Sequence, residues 1–348
     1  MKVLFVSHRW DYQQPSRGDS FEYTNFWDSL RQIPGVEAEH FPSDILEADR
    51  GREQMNSELL QRVRAWKPDL VFFFFFADEF TYEVVSEISS LTTTVNWFAD
   101  DQWRFHTYST KWAPHLTWVA TTYGPAAEEF RRGGQAGVIE TQWGCNHFLY
   151  RPLAVPRDLD VTFIGQPHGG RPRIINALRE VGIDVKTWGH GWPSGRIKQQ
   201  EMIEVFSRSK VNLNLSNASQ RLGPRAGASL LVQRKGRWLV PNLRSLPARA
   251  TEMWAKRRDQ IKGRNFEIPG CRTFLLTSEV PGLDKWFEFD QEIAVFSNTT
   301  ELIERARHYL ANPAEREEVA LAAYERTLAE HTYVKRFTDM FSAMGFRL

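Results

Sequence analysis

Two charged residues three positions apart, Arg264 and Glu267, stand inside the run Lys262-Gly263-Arg264-Asn265-Phe266-Glu267-Ile268-Pro269-Gly270-Cys271. A carboxylate accepts two hydrogen bonds side by side, while a guanidinium three residues away can reach an anion or the acid itself. Both also fit a structural role, with the acid opening a helix at the positive end of its dipole and the pair closing a salt bridge. Upstream, Gly165-Gln166-Pro167-His168-Gly169-Gly170-Arg171 lies between a strand-like and a helical run. Gly165, Gly169 and Gly170 would let backbone N–H groups approach an anion at a helix start. The same turn serves as an ordinary strand-to-helix connection, and no Gly-Lys-Ser/Thr follows to make it a P-loop. Asp100 and Asp101 come directly after the strand-like stretch Thr93–Phe98, at the carboxyl end where open α/β sheets place ligands. There an acid binds hydroxyls, acts as a general base, or simply caps a helix. His8 ends the first strand-like run as a base or as a satisfied structural histidine. The histidines and scattered acids form no HxH or HExxH pattern, so no metal site is expected.

These residues need a scaffold, and the chain spells one out. Short apolar runs alternate with amphipathic segments, the mark of strand–helix units and a parallel sheet. Lys2–Ser7, 70–76, Thr93–Phe98, Trp118–Thr121 and 138–143 read as strands. Helices are expected over 21–33, 57–66 and 125–132. The run Leu70 to Phe76 is apolar without alternation, as in a central parallel strand buried on both faces. Tyr150-Arg151-Pro152-Leu153-Ala154-Val155-Pro156 reads as a semi-rigid linker. The pattern then restarts with strands over 160–164, 184–188, 211–215, 274–277 and 293–296. Helices are expected over 173–181 and 197–207, with terminal helices over 301–312, 313–331 and 333–344. The irregular stretch 216–265 is too long for an ordinary loop and reads as a cleft-bordering lid that orders on binding, or as a solvated insertion. It holds one possible helix over 248–258.

The C-terminal third resembles the CgeB-like group of glycosyltransferases. The resemblance rests on the Lys262–Cys271 run, Phe274-Leu275-Leu276-Thr277 and His331-Thr332-Tyr333 followed by Arg336. Trp97-Phe98-Ala99-Asp100-Asp101, and Gly144-Cys145-Asn146 before Tyr150-Arg151-Pro152, also look like that group. It implies an α/β protein of GT-B type, with two Rossmann-like domains whose parallel sheets face across a cleft. The acceptor-side domain would span 1–152 and the nucleotide-sugar donor domain 153–332, with a last helix, 333–348, packing back toward the first domain. It further implies metal-independent sugar transfer from a nucleotide-diphosphate donor such as a UDP-sugar, leaning toward retention. Glu267 would hold the donor ribose, and Arg264 and Arg171 the diphosphate. Asn265 and Gly165, Gly169 and Gly170 would line the donor site. Asp259 stands eight residues before Glu267, the spacing of paired acids in many retaining relatives. His8 falls where some inverting relatives keep a base. Arg272 departs from the pattern, which expects a small residue there, and so leaves donor identity open.

Length and composition fit this picture and exclude others. The 348 residues, 42% hydrophobic and 25% charged, suit two folded domains rather than a disordered or fibrous chain. Only Cys145 and Cys271 occur, too few for a disulfide framework, and the first strand starts at Lys2, so a cytoplasmic location is expected. Residues 1–150 carry 13 Lys+Arg against 21 Asp+Glu, and 151–348 carry 31 against 22. Such asymmetry fits a basic wall for a diphosphate, or two solvated surfaces of opposite sign. Residues 190–272 hold 17 Lys+Arg and 5 Asp+Glu with Trp192, Trp238 and Trp254 interleaved, which would also suit a nucleic-acid or acidic acceptor, including modified bases in DNA. A binding or structural protein that keeps the fold without turnover is the remaining alternative, motivated by Arg272 and Asp259.

Overall fold

The computed structural model describes residues 1–216, 232–235, 238–241 and 259–348. The possible helix over 248–258 and most of the stretch 216–265 lie outside the described residues. Two compact units form: Met1–Gln142 together with Thr332–Leu348, and Trp143–His331. The division falls before the proline-bracketed linker because Cys145 and Tyr150 are already core residues of the second unit. Among the described residues, no helix is long and apolar enough to cross a membrane.

The first unit is built on six parallel strands: β1 (Lys2–Ser7), β2 (Glu37–Pro42), β3 (Leu70–Phe73), β4 (Thr93–Phe98), β5 (Trp118–Thr121) and β6 (Gly137–Glu140), ordered β2-β1-β3-β4-β5-β6. The order reverses between β1 and β3, the point at which such sheets open a ligand crevice beyond their carboxyl ends. β3 is buried on both faces as its composition requires. Val71, Phe73 and Phe75 enter one core with Leu4, Val6 and Val119. On the other face Phe72 meets Phe26 at 6.2 Å between ring centroids, and Phe26 in turn meets Trp97 at 4.9 Å, Tyr333 at 4.8 Å and Phe337 at 5.3 Å. Tyr333 and Phe337 belong to the helix Tyr333–Ala343, whose Thr332 cap accepts from the Lys335 N–H.

The apolar run leaves the sheet ladder earlier than its composition suggests. Beyond Phe73, the Phe75 N–H donates to the Asn96 side chain and the Phe76 N–H to Glu79, so the chain turns outward. Edge strand β2 and the helix Tyr82–Leu91 are elements that the sequence pattern did not announce.

The second unit holds β7 (Leu159–Ile164), β8 (Val185–Trp188), β9 (Ser209–Asn214), and, after an antiparallel pair β10 (Val232–Lys235) and β11 (Trp238–Pro241), β12 (Leu275–Ser278) and β13 (Ala294–Phe296). Its parallel sheet runs β13-β12-β9-β7-β8. In chain order this is the arrangement of the first five strands of unit 1, and the reversal falls between β7 and β9.

Candidate functional site

The turn after β7 and the end of β9 meet at the reversal of the second sheet, and Arg171 joins them. It opens the helix Arg171–Glu180, donating from Nη1 to the Gln166 carbonyl at 3.1 Å and from Nη2 to the Leu215 carbonyl at 2.7 Å. No carboxylate pairs with it among the described residues, and burial pulls its pKa below the usual guanidinium value. A half-buried cation held by two carbonyl dipoles and the face of the Phe163 ring, 5.5 Å away, stays protonated and lacks a counter-charge among the described residues. Gly169 supports the turn with φ near +57°, and Gly170 begins the helix with open space about it. Gly165 instead permits close packing, since a Cβ there would meet the Phe163 ring at 2.7 Å, and its carbonyl accepts from Trp192 Nε1 at 2.7 Å.

Asn214, at the end of β9, carries the construction to the next helix, Arg264–Gly270. Its Nδ2 donates to Asn265 Oδ1 at 3.1 Å and to Thr277 Oγ1 at 3.1 Å, and Asn265 Nδ2 also donates to Thr277 at 3.1 Å. Asn265 is fully buried and accepts a further bond from the Lys262 N–H. It therefore positions the helix start beside the buried Glu267.

One turn on, Glu267 is completely buried and pairs with Arg264 through Oε2. Its other oxygen, Oε1, is buried and makes no well-formed hydrogen bond among the described residues, although the Tyr150 hydroxyl lies close to the carboxylate; such an arrangement costs free energy unless a donor is supplied. The Tyr150 hydroxyl, bonded to Gln199 Nε2 at 2.7 Å, is driven well above its ordinary pKa, first by burial and then by the Glu267 charge. Asp259 is solvent-exposed, in contrast to the buried Glu267.

Arg272 follows this helix with φ of +54°, its N–H donating to the Pro269 carbonyl at 2.8 Å. The left-handed residue after a helix end is the place where glycine is favoured, which explains the small residue expected there. The Arg272 side chain is exposed, so the departure from the pattern lies in the backbone turn. The basic stretch 190–272 is only partly within the described residues.

In the first unit, Asp101 sits in the first turn after β4, almost wholly buried. Ser109 Oγ donates to Oδ1 and Thr121 Oγ1 to Oδ2, each at 2.5 Å. Burial still pushes its pKa up to about 7. Both of its oxygens are engaged inside the fold, while Asp100, half-buried, stands at the strand end. His8 is buried beyond β1, within 3.3 Å of Gln13 Nε2 and 4.9 Å from the Phe76 ring. Glu22 was not singled out by the sequence. Burial pushes its carboxyl up to about 7, with a smaller push from Asp11 and Asp100. Its neighbours come from three separate segments, so only the fold reveals the group.

Residues 171–342 match a family model described as Glycosyl transferase-like. Superposition relates the whole chain to HepE of Anabaena, solved with UDP, at a TM-score of 0.59 and 10% identity, covering 99% of this chain and 100% of that one. The fold is GT-B. Sucrose-phosphate synthase of Thermosynechococcus elongatus aligns at 0.58 with 12% identity, covering 99% and 97% of the two chains. The lipopolysaccharide outer core galactosyltransferase WaaB aligns at 0.55 with 9% identity, covering 99% and 100%. No curated protein matches the sequence. In this GT-B chain the Glycosyl transferase-like match begins at Arg171, takes in Arg264 and Glu267, and runs into the helix Tyr333–Ala343.

Proposed function

We propose that the protein transfers a sugar from a UDP-sugar to an acceptor hydroxyl, with the donor held by the second unit. The observation that carries this reading is Arg171, a half-buried cation without a carboxylate partner among the described residues, spanning the reversal of the second sheet. A diphosphate supplies the missing negative charge at the place where this sheet topology accepts ligands. HepE, which shares the fold, has been solved with UDP and with UDP-glucose.

Glu267 takes the ribose hydroxyls on this reading. Its buried Oε1 is the acceptor, and Arg264, which covers the carboxylate, shares its charge between the acid and the diphosphate. We further assign Asp100 to the acceptor hydroxyl, with the resemblance favouring retention of configuration. The charge of the departing diphosphate falls to Arg171 and Arg264 rather than to a metal ion. Membership of the CgeB-like group and a cytoplasmic location belong to the same proposal, the latter consistent with two free cysteines.

A thermal-shift screen against UDP, UDP-glucose and the other nucleoside diphosphates tests it. Ligand at ~100 times its dissociation constant adds ~2.7 kcal/mol, so UDP should raise the melting temperature, and Arg171→Met should remove most of the rise. No response to any nucleoside diphosphate would sink the reading.

A further inference from the structure

The reversal of the first sheet also presents a built surface, and its chemistry differs from that of the second. Phe76 follows β3 and Tyr12 follows β1, with 40% and 59% of their surfaces exposed. Their rings stand 5.7 Å apart at 85°, two walls of a corner, and the buried His8 ring packs behind Phe76. Exposed aromatics usually move, but these are held. The Phe76 N–H donates to Glu79 Oε1 at 2.7 Å and its carbonyl accepts from Arg104 Nη1 at 2.9 Å, so charged side chains pin both backbone groups. Tyr12 and Gln13 both lie in the left-handed region, with φ of 49° and 60°, and the Arg17 guanidinium covers the Tyr12 ring at 4.4 Å.

Glu22 interacts electrostatically with Asp11 and with Asp100, and the guanidinium over Tyr12, that of Arg17, is neutralised by Asp11 at 2.9 Å. Residues 1–150 as a whole carry 13 basic and 21 acidic side chains.

We propose that this corner is an acceptor subsite for a neutral pyranoside. The face of a sugar ring carries weakly positive C–H groups that pack on the negative face of an aromatic ring, and its hydroxyls donate to a carboxylate such as Asp11, which precedes Tyr12 and pairs with the Arg17 that covers its ring. The acidic excess of residues 1–150 as a whole, set against the Arg17 and Arg104 guanidiniums at the corner, disfavours phosphorylated or sialylated glycans and nucleic acid by the same electrostatics. The subsite rests on the glycosyltransferase reading for its role, but its binding chemistry can be tested without turnover.

The full-length protein is applied to an array of immobilised neutral oligosaccharides ending in hexose, deoxyhexose or N-acetylhexosamine, beside sialylated and phosphorylated glycans and single-stranded DNA. Retention on a neutral terminus is expected, weakened about tenfold by Tyr12→Ala and by Phe76→Ala, and kept by Phe76→Trp. Melting curves of each variant verify folding, and the UDP-induced shift on the same samples reports the donor side separately, so failure of the donor reading and failure of the subsite are distinct results. Absence of neutral-glycan binding, equal binding by the alanine variants, or retention of the acidic glycans or DNA instead would each overturn the proposal.

Discussion

Asp101→Asn should make the protein harder to unfold at about pH 8 while leaving it little changed at about pH 4. Folded Asp101 keeps its proton up to about pH 7, whereas its ordinary value is 3.8. Between those limits the folded protein binds more protons than the unfolded chain, so stability falls as pH rises, and above the upper limit the loss is constant. At 1.36 kcal/mol per unit the full loss is on the order of 4 kcal/mol. The amide keeps the shape of the protonated acid. Its oxygen accepts from one of the two hydroxyls, and its NH2 donates to the other once that hydroxyl turns about its C–O bond. Urea unfolding of parent and variant at several pH values between these extremes gives the difference in stability directly. The difference should grow across the window in which Asp101 ionises and then level off. A flat difference would mean that the carboxylate is charged throughout, and would refute the claim that burial outweighs the hydrogen bonds from Ser109 and Thr121.

Glu267→Gln should weaken UDP affinity about tenfold or more by removing the charge from a hydrogen-bonded carboxylate, read by calorimetric titration. The glutamine change is the cleaner probe, because Glu267→Ala would strand Arg264 without its buried partner and cost several kcal/mol of stability. Arg272→Gly should stabilise by about 0.5–1 kcal/mol through relief of the left-handed backbone, without altering UDP affinity; a changed affinity would place Arg272 in the donor site after all. Gly270→Ala should destabilise by about 1–3 kcal/mol, since its Cβ would stand 2.2 Å from Cys145 Sγ. Adding Cys145→Ala should recover part of that loss in a double-mutant cycle followed by denaturant melts.

Much of the scaffold was legible because its signals are local. The bounds of β4 and β5 coincide with the apolar stretches Thr93–Phe98 and Trp118–Thr121, and the unbroken apolar run of β3 reports burial on both faces. Strand β2 was hidden by its place at the sheet edge, where Glu37, Ala38, Glu39 and His40 keep partial exposure and blur the alternation. The helical stretch from Asp101 to Trp112 escaped notice because it passes through a π-helical turn at Phe105–Ser109 that breaks the period. Within the candidate site, Arg264 and Glu267 were readable as neighbours on one helix face. The partners of Arg171 were not: they are backbone carbonyls, which leave no trace in residue identity. Arg272 illustrates a third case, in which an expected small residue was recognisable but its reason, a left-handed backbone, appeared only with the fold.

The helix Tyr333–Ala343 places Tyr333 and Phe337 against Phe26, although the whole of residues 143–331 separates it from the sheet it covers. During translation β1 to β6 therefore leave the ribosome and can pair long before that cover exists, and the aromatic face of Phe26, Phe72 and Trp97 waits uncovered while the second unit is made. Exposed apolar surface of this kind is what chaperones bind and what aggregates if they do not. A premature stop codon anywhere in the second unit consequently leaves the first one unfinished as well, so a truncated product emerges marked for quality control.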